Sequence, residues 1–134
     1  MLKTVRNIRK LYNAKLLFVT SDETITKDIG SEFDDYFKEL KVASTLEDAL
    51  SLACSNSYDM AIVDADIQNV SFSELCTELS QLAPTLPKII ISQSDNNENI
   101  VTAINSGAYT FLSKPLRAKD VKLAVIMCLN QTKR

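Results

Sequence analysis

The chain has 134 residues, a size at which one domain can bury most of its apolar surface. Hydrophobic residues make up 46% and charged residues 24%, as in an ordinary globular domain. The net charge of −2 gives no reason to expect nucleic-acid binding. No apolar run approaches the roughly 20 residues of a membrane span, so we expect no membrane partner.

The sequence contains no histidine, which excludes Ser-His-Asp and Cys-His nucleophiles, histidine metal ligands and phosphohistidine. Any chemistry must therefore use carboxylates, hydroxyls, lysine or the backbone. Three widely spaced cysteines, Cys54, Cys76 and Cys128, indicate reduced thiols and a cytoplasmic location rather than a disulfide framework. Each has aliphatic neighbours, so we expect all three to be buried.

Residues 1–13 differ in pattern from the rest of the chain. Basic and apolar side chains alternate there, which predicts a short amphipathic helix leading into, or linked to, a domain over residues 14–134. A dimer contact or a connection to a partner is the alternative. The basic residues are Lys3, Arg6, Arg9 and Lys10, and the apolar ones are Leu2, Val5, Ile8 and Leu11.

From residue 14 onward, apolar runs alternate with stretches of helical period. The first run, Lys15–Val19, is aliphatic throughout, as in a strand covered on both faces. Apolar residues then recur at four-residue steps, which predicts an amphipathic helix. These are Ile25, Ile29, Phe33 and Phe37. A short strand at Lys41–Ala43 follows, and Ser44 with Glu47 has the spacing of a capping box that opens a second helix.

The second half repeats this alternation. Met60–Val63 is a third strand that ends directly on Asp64, and Ile89–Ile91 is a fourth, each followed by a helical stripe. The second of these stripes ends at Gly107, a residue type suited to a helix C-terminus. A short fifth strand at Tyr109–Leu112 precedes the last helix. The stripes are Phe72, Leu75, Cys76, Leu79 and Leu82; Ile100, Ala103 and Ile104; and, in the last helix, Val121, Ala124, Val125 and Cys128.

Five strands alternating with five helices predict an α/β fold, a doubly wound parallel sheet with helices on both faces. In such a sheet ligands bind beyond the carboxyl ends of the strands. Polar residues follow four of the predicted strands, which predicts a cluster with carboxylates, hydroxyls and a lysine. They are Thr20, Ser21 and Asp22 after the first strand, Asp64 and Asp66 after the third, Ser92 and Gln93 after the fourth, and Ser113 and Lys114 after the fifth.

Three segments resemble the receiver domain of two-component response regulators: YDMAIVD at 58–64, LPKIIIS at 86–92 and AINSGAYTFLSKPL at 103–116. The last has its Gly-Ala pair, Phe111 and the Ser-Lys-Pro triplet in the register of that family. The resemblance covers about residues 14–130 and implies a flavodoxin-like fold with strand order 2-1-3-4-5. It also implies a cis peptide bond before Pro115.

The resemblance implies that Asp64 accepts a phosphoryl group from a histidine kinase and that Lys114 offsets the charge on the phosphoryl oxygens. It implies that Ser92 is the switch hydroxyl and Phe111 the switch aromatic. Asp64 and the backbone carbonyl of Asp66 would be ligands of Mg²⁺. Beyond self-catalysed phosphotransfer to Asp64, the resemblance implies no enzymatic activity.

The sequence departs from this family at the end of the first strand. Receivers usually have two adjacent acids there that bind Mg²⁺, and Thr20 and Ser21 occupy those positions. Asp22 follows one residue late and is a further candidate ligand. Unit charges about 4 Å apart near a protein surface attract by about 4 kcal/mol. Exchanging two carboxylates for hydroxyls is therefore expected to weaken Mg²⁺ binding.

Two functions remain open. One is a pseudo-receiver that acts through protein contacts, and the other is a phosphoacceptor receiver with a poor metal site. The missing acids favour the first, in which Lys114 neutralises the buried charge of Asp64, so we expect these two side chains in contact when no metal is bound. A flavodoxin-like cofactor binder is a remote third, because the loop after the first strand has no glycine to admit a phosphate.

The family's output face implies where a protein partner, a histidine kinase or a downstream effector, would bind. It is built from the helix that contains Ile100, the fifth strand and the last helix. The candidate residues are Ile100, Tyr109, Leu116 and Lys122. No output domain follows the last predicted helix, so we expect action in trans unless the chain is a piece of a longer protein. The sequence leaves the oligomeric state open.

Overall fold

A computed structural model of the protein describes residues 13–33, 37–93, 101, 102, 105 and 107–132. The predicted N-terminal helix lies outside these ranges apart from residue 13. The helical stripe of Ile100, Ala103 and Ile104 also lies outside them, although residues 101, 102 and 105 are helical. Among the described residues, none of the helices has the length and apolar character needed to cross a membrane.

Strands and helices alternate along the described ranges. The strands are β1 (Lys15–Val19), β2 (Glu39–Ala43), β3 (Met60–Asp64), β4 (Lys88–Gln93) and β5 (Thr110–Lys114). The helices are α1 (Glu23–Phe33), α2 (Leu46–Ser55), α3 (Phe72–Leu82) and α4 (Ala118–Thr132). Each predicted strand is present, because short aliphatic runs with polar flanks are the pattern of strands buried on both faces.

The five strands form one sheet in the order β2-β1-β3-β4-β5, and each neighbouring pair is parallel. This is the flavodoxin-like order that the resemblance implied. Because parallel strands run in the same direction, their carboxyl ends all lie at one edge of the sheet. The order places β3 at the centre, with β1 and β4 on either side.

Two apolar cores lie on opposite faces of the sheet. Successive side chains of a strand point to opposite faces, and β1 accordingly places Leu16 and Phe18 in one core and Leu17 and Val19 in the other. Helices α1 and α4 cover the first core, and α2 and α3 cover the second. Burial of one such side chain contributes about 1.5–3 kcal/mol, so both faces hold the strand ends in place.

The predicted start of α2 is wrong by one residue. Thr45, rather than Ser44, caps the helix, and its hydroxyl accepts a hydrogen bond from the backbone N–H of Asp48 at 3.1 Å. Thr45 has an extended backbone, with φ −135° and ψ 162°, as expected of an N-cap residue. The helix therefore begins at Leu46, and the cap falls one position later than Ser44 and Glu47 suggested.

The expectation that every cysteine is buried is wrong for Cys54. Cys76 and Cys128 are buried, but Cys54 is exposed on α2. The buried side of this helix is at Ala49. Five residues advance an α-helix by about 500°, which is roughly 140° around the axis. Cys54 therefore points away from the core although its neighbours in sequence are aliphatic.

Two apolar residues at helix ends also differ from expectation. Leu82, the last residue of α3, is 42% exposed, whereas Leu79, one turn earlier, is buried. Phe37 lies in a bend rather than in a helix, yet it is buried. Its ring contacts Phe33 edge to face, with 6.0 Å between the ring centroids. The four-residue spacing thus correctly predicted that Phe37 lies in the core but wrongly placed it in a helix.

Candidate functional site

The carboxyl ends of four strands bring the predicted polar residues together. The parallel register pairs Val19 of β1 with Val63 of β3, and Asp64 with Ile91 of β4. Residues directly after these pairs therefore lie side by side. We call the resulting group the edge cluster, which consists of Thr20, Asp64, Asp66, Ser92 and Lys114.

Asp64 is at the centre of the edge cluster and only 1% of its side chain is exposed. Its Oδ1 atom accepts a hydrogen bond from the backbone N–H of Asp66 at 2.9 Å and forms an ion pair with Lys114 Nζ at 3.0 Å. Its Oδ2 atom accepts hydrogen bonds from the hydroxyl of Thr20 at 2.7 Å and from Lys114 Nζ at 3.2 Å. Both carboxylate oxygens therefore have partners within the protein.

The two hydroxyls at the end of β1 are both held in place. Thr20 is 1% exposed, and its backbone N–H donates to the carbonyl of Ala43 at 2.9 Å. Its Oγ1 atom also accepts from the backbone N–H of Asp22 at 3.1 Å. The hydroxyl of Ser21 accepts from the backbone N–H of Gln68 at 3.1 Å, which joins the loop after β1 to the loop after β3.

Asp66 turns its carboxylate toward the ends of β4 and β5. Its Oδ1 atom accepts from the hydroxyl of Ser92 at 3.3 Å. Its Oδ2 atom accepts from the backbone N–H of Gln93 at 3.2 Å and forms an ion pair with Lys114 Nζ at 3.2 Å. Because Asp66 follows β3 in a turn, one side chain connects the ends of three adjacent strands.

Lys114 lies between the two carboxylates, and 18% of its side chain is exposed. Burial lowers the pKa of Lys114, but hydrogen bonds and ion pairs with Asp64 and Asp66 outweigh it and leave the pKa above its ordinary value. The expected contact between Lys114 and Asp64 is confirmed. The peptide bond between Lys114 and Pro115 is cis, as the resemblance implied.

Asp22, a candidate metal ligand in the sequence, forms the N-cap of α1. Its Oδ1 atom accepts from the backbone N–H of Thr24 at 2.9 Å and of Ile25 at 3.3 Å. A carboxylate at this position also interacts favourably with the positive end of the helix dipole. The negative charge of Asp22 therefore stabilises the start of α1.

The remaining predicted residues lie on or beneath the surface near β5. Phe111 is half-buried and packs against the core between the sheet and helices α2 and α3. Tyr109 and Leu116 are half-buried against the opposite core, and Lys122 is partly exposed on α4. Ile100 lies outside the described residues. Phe111 and Tyr109 therefore pack against cores on opposite faces of the sheet.

Sequence reasoning missed the direction of the Asp66 side chain and the use of the Thr20 hydroxyl. One signal was available. Two aspartates separated by one residue, directly after a strand, favour a turn in which the first side chain accepts from the N–H of the second. Asp64 and Asp66 form this contact. The partners of Asp66 depend on the positions of β4 and β5, which a local pattern does not specify.

The family model for the response regulator receiver domain matches residues 16–126 of the chain. The transcriptional regulatory protein TdiR of Thauera aromatica is 29% identical over 117 residues, which cover 87% of this chain and 52% of TdiR. The alkaline phosphatase synthesis transcriptional regulatory protein PhoP of Bacillus subtilis is 23% identical over 120 residues, 90% of this chain and 50% of PhoP. The chain therefore spans about half the length of these curated relatives.

Solved structures show the same fold. The receiver domain protein of Methanospirillum hungatei matches with a TM-score of 0.80 at 24% identity, covering 90% of this chain and 96% of that one. The receiver domain of the Francisella response regulator 1452 matches with a TM-score of 0.78 at 27% identity, covering 90% of this chain and all of the other. Because the family model covers most of its length, the chain belongs to the response regulator receiver domains of two-component systems.

Proposed function

We propose that this chain is an atypical receiver in which Mg²⁺-dependent phosphorylation at Asp64 is weakened or absent and which acts through protein contacts. The observation that carries the proposal is the 2.7 Å hydrogen bond from the Thr20 hydroxyl to Asp64. Thr20 stands where receivers usually have an acid that binds the metal. A neutral donor there stabilises the carboxylate of Asp64 without adding a negative charge that a metal ion would have to offset.

The internal contacts of Asp64 support this proposal. A carboxylate oxygen that attacks a phosphoryl group needs a lone pair directed at the phosphorus. The oxygens of Asp64 accept hydrogen bonds from Asp66, Thr20 and Lys114, and Oδ1 also forms an ion pair with Lys114. Phosphorylation would have to displace at least one of these donors from a buried position, which costs free energy.

The donor set does not fit a tight Mg²⁺ site. Mg²⁺ needs an octahedral shell of oxygens, usually including one or two carboxylates. Ser21 and Thr20 supply neutral hydroxyls that already have partners, and Lys114 places a positive charge beside Asp64. Within the ranges that the structure describes, no three or more Asp, Glu, His or Cys side chains are grouped so as to hold a metal ion. We therefore propose that Mg²⁺ binds weakly.

Protein partners would contact the surface beside β5. A groove there is lined by Tyr109, Leu112, Leu116, Leu123 and Met127. Leu123 is 57% exposed and Met127 is 50% exposed, although both are large apolar side chains. Exposed apolar groups lining a groove are typical of protein-binding surfaces. The expected partner is a histidine kinase or a downstream effector, since the curated relatives are transcriptional regulatory proteins.

The test is a titration with beryllofluoride and Mg²⁺ followed by NMR of the Phe111 ring and the Gln93 amide. We expect no saturable change at millimolar Mg²⁺. Saturable shifts that are lost in Asp64→Asn would overturn the proposal and establish the alternative, a working phosphoacceptor receiver. The retained Asp64, Ser92 and Lys114 are the residues that this alternative would use.

A further inference from the structure

We propose that the Asp66 carboxylate is an internal ligand of an oxyanion site, formed by Ser92, the Gln93 amide and Lys114, and that it keeps external oxyanions out of this site. The inference rests on the proposed function. It gives a reason why the edge cluster is stable without phosphate. It assigns to the Asp66 side chain a role separate from any metal binding by its carbonyl.

Three donors of different kinds converge on the Asp66 carboxylate. Ser92 contributes a hydroxyl, Gln93 a backbone N–H and Lys114 an ammonium group, and all three point at one carboxylate. A hydroxyl, an amide and a cation converging from different directions are the donor types that bind small oxyanions. Asp66 is the anion that these donors hold in the structure.

The sheet holds these donors in fixed positions. Ser92 is completely buried, and β4 pairs Ser92 with Ser113 and Gln93 with Lys114 of β5. The two strands therefore fix the spacing between the hydroxyl, the amide and the root of the lysine side chain. Because the donors are held by the sheet, removal of the Asp66 carboxylate would leave a site rather than a collapsed surface.

The contacts of the Asp66 carboxylate are long, and the side chain is partly exposed. The three distances, 3.2 to 3.3 Å, are at the long end of the range for hydrogen bonds. Asp66 is 25% exposed, whereas Asp64 is 1% exposed. Asp66 is therefore held less firmly than Asp64 and can be removed with less effect on the fold. Its negative charge nevertheless repels any second anion at the same donors.

The test uses inorganic phosphate as the probe, in EDTA and without Mg²⁺, with the Gln93 amide followed by NMR. We expect no saturable shift in the unchanged protein. In Asp66→Ala the site is vacated, and we expect a saturable shift of Gln93 with phosphate affinity raised by about tenfold or more. Asp66→Asn keeps one acceptor oxygen and loses the charge, so its affinity for phosphate should lie between those of the unchanged protein and Asp66→Ala.

Controls separate this site from a general effect of charge. Asp48→Asn removes one negative charge from an exposed position on α2 and should leave phosphate binding unchanged. Adding Lys114→Met to Asp66→Ala should abolish the gained binding. A dispersed NMR spectrum for each variant shows that it is folded.

Absence of phosphate binding in folded Asp66→Ala, or equal binding in the unchanged protein, would overturn the inference. Neither result bears on the beryllofluoride titration, because that experiment requires Mg²⁺ and tests Asp64. Failure of the internal-ligand inference is therefore distinguishable from failure of the proposed function.

Discussion

The hydroxyl of Thr20 donates a hydrogen bond of 2.7 Å to Oδ2 of Asp64, and both side chains are almost completely buried. A short bond to a charged acceptor in a buried place is among the stronger interactions of a protein. It joins the end of β1 to the end of β3. The edge cluster is thus a connected hydrogen-bond network.

The Thr20 hydroxyl is expected to matter for stability as well as for the site. Thr20→Val keeps the shape of the side chain but removes the donor to Asp64 and the acceptor for the N–H of Asp22. We expect the free energy of unfolding to fall by about 1–3 kcal/mol. Urea denaturation measures this change, and Thr20→Ser, which keeps the hydroxyl, is the matched control. Equal stability of the valine variant would show that the bond contributes nothing.

The fold could be predicted from the sequence because it depends on local patterns. Aliphatic runs identified the strands, and the rule that ligands bind beyond the carboxyl ends identified Thr20, Asp64, Ser92 and Lys114 as neighbours. The distances among these residues confirm that placement for Thr20, Asp64 and Lys114. Ser92 joins them through Asp66.

What the sequence did not predict depends on geometry between segments. The Asp66 carboxylate has partners on β4 and β5, and only their final positions determine whether it faces the edge cluster or solvent. The exposure of Cys54 depends on its angular position on α2, about 140° from Ala49, whereas its burial was predicted from aliphatic neighbours in the sequence.

The exposure of Cys54 predicts selective thiol chemistry. Of the three cysteines, only Cys54 is exposed, whereas burial raises the pKa of the Cys128 thiol to about 11. Since the thiolate is the reactive form, a disulfide reagent at mildly alkaline pH should modify one thiol per folded chain. Cys54→Ser should abolish this reaction, and urea should expose the other two. Rapid labelling of a second thiol in the folded protein would contradict the burial of Cys76 and Cys128.

Lys114 should make stability depend on alkaline pH. Its pKa is raised in the folded protein above the ordinary value of 10.5, because attraction to Asp64 and Asp66 outweighs burial. The folded state binds this proton more tightly than the unfolded chain does. The resulting stability is fully present below pH 10.5 and is lost as the pH rises through the folded value.

Replacement of Lys114 tests this dependence. Lys114→Met leaves the buried carboxylate of Asp64 without its cation and should lower the free energy of unfolding at neutral pH by about 3 kcal/mol. Its stability should then fall less steeply above pH 10 than that of the unchanged protein, by about the contribution of one titrating group. Lys119→Met, at an exposed position of α4, is the control and should keep the original pH profile.

Restoring the two acids at the end of β1 should create Mg²⁺-dependent stability. In the double variant Thr20→Asp and Ser21→Asp, a carboxylate replaces the hydroxyl that lies 2.7 Å from Asp64. Without metal, repulsion between these like charges should lower the melting temperature. Mg²⁺ at ten times its dissociation constant should then add about 1.4 kcal/mol of stability. Thermal unfolding with and without Mg²⁺ measures both effects.

The control for this gain is the uncharged pair Thr20→Asn and Ser21→Asn, which matches the size of the introduced side chains. It should show no response to Mg²⁺, because amides supply dipoles but no negative charge to offset the dehydration of the ion. Ca²⁺ would be a poor substitute for Mg²⁺ in this test, since it takes more ligands and in a more flexible geometry. If Mg²⁺ stabilises the unchanged protein as strongly as the acidic variant, the hydroxyls of Thr20 and Ser21 do not weaken the metal site.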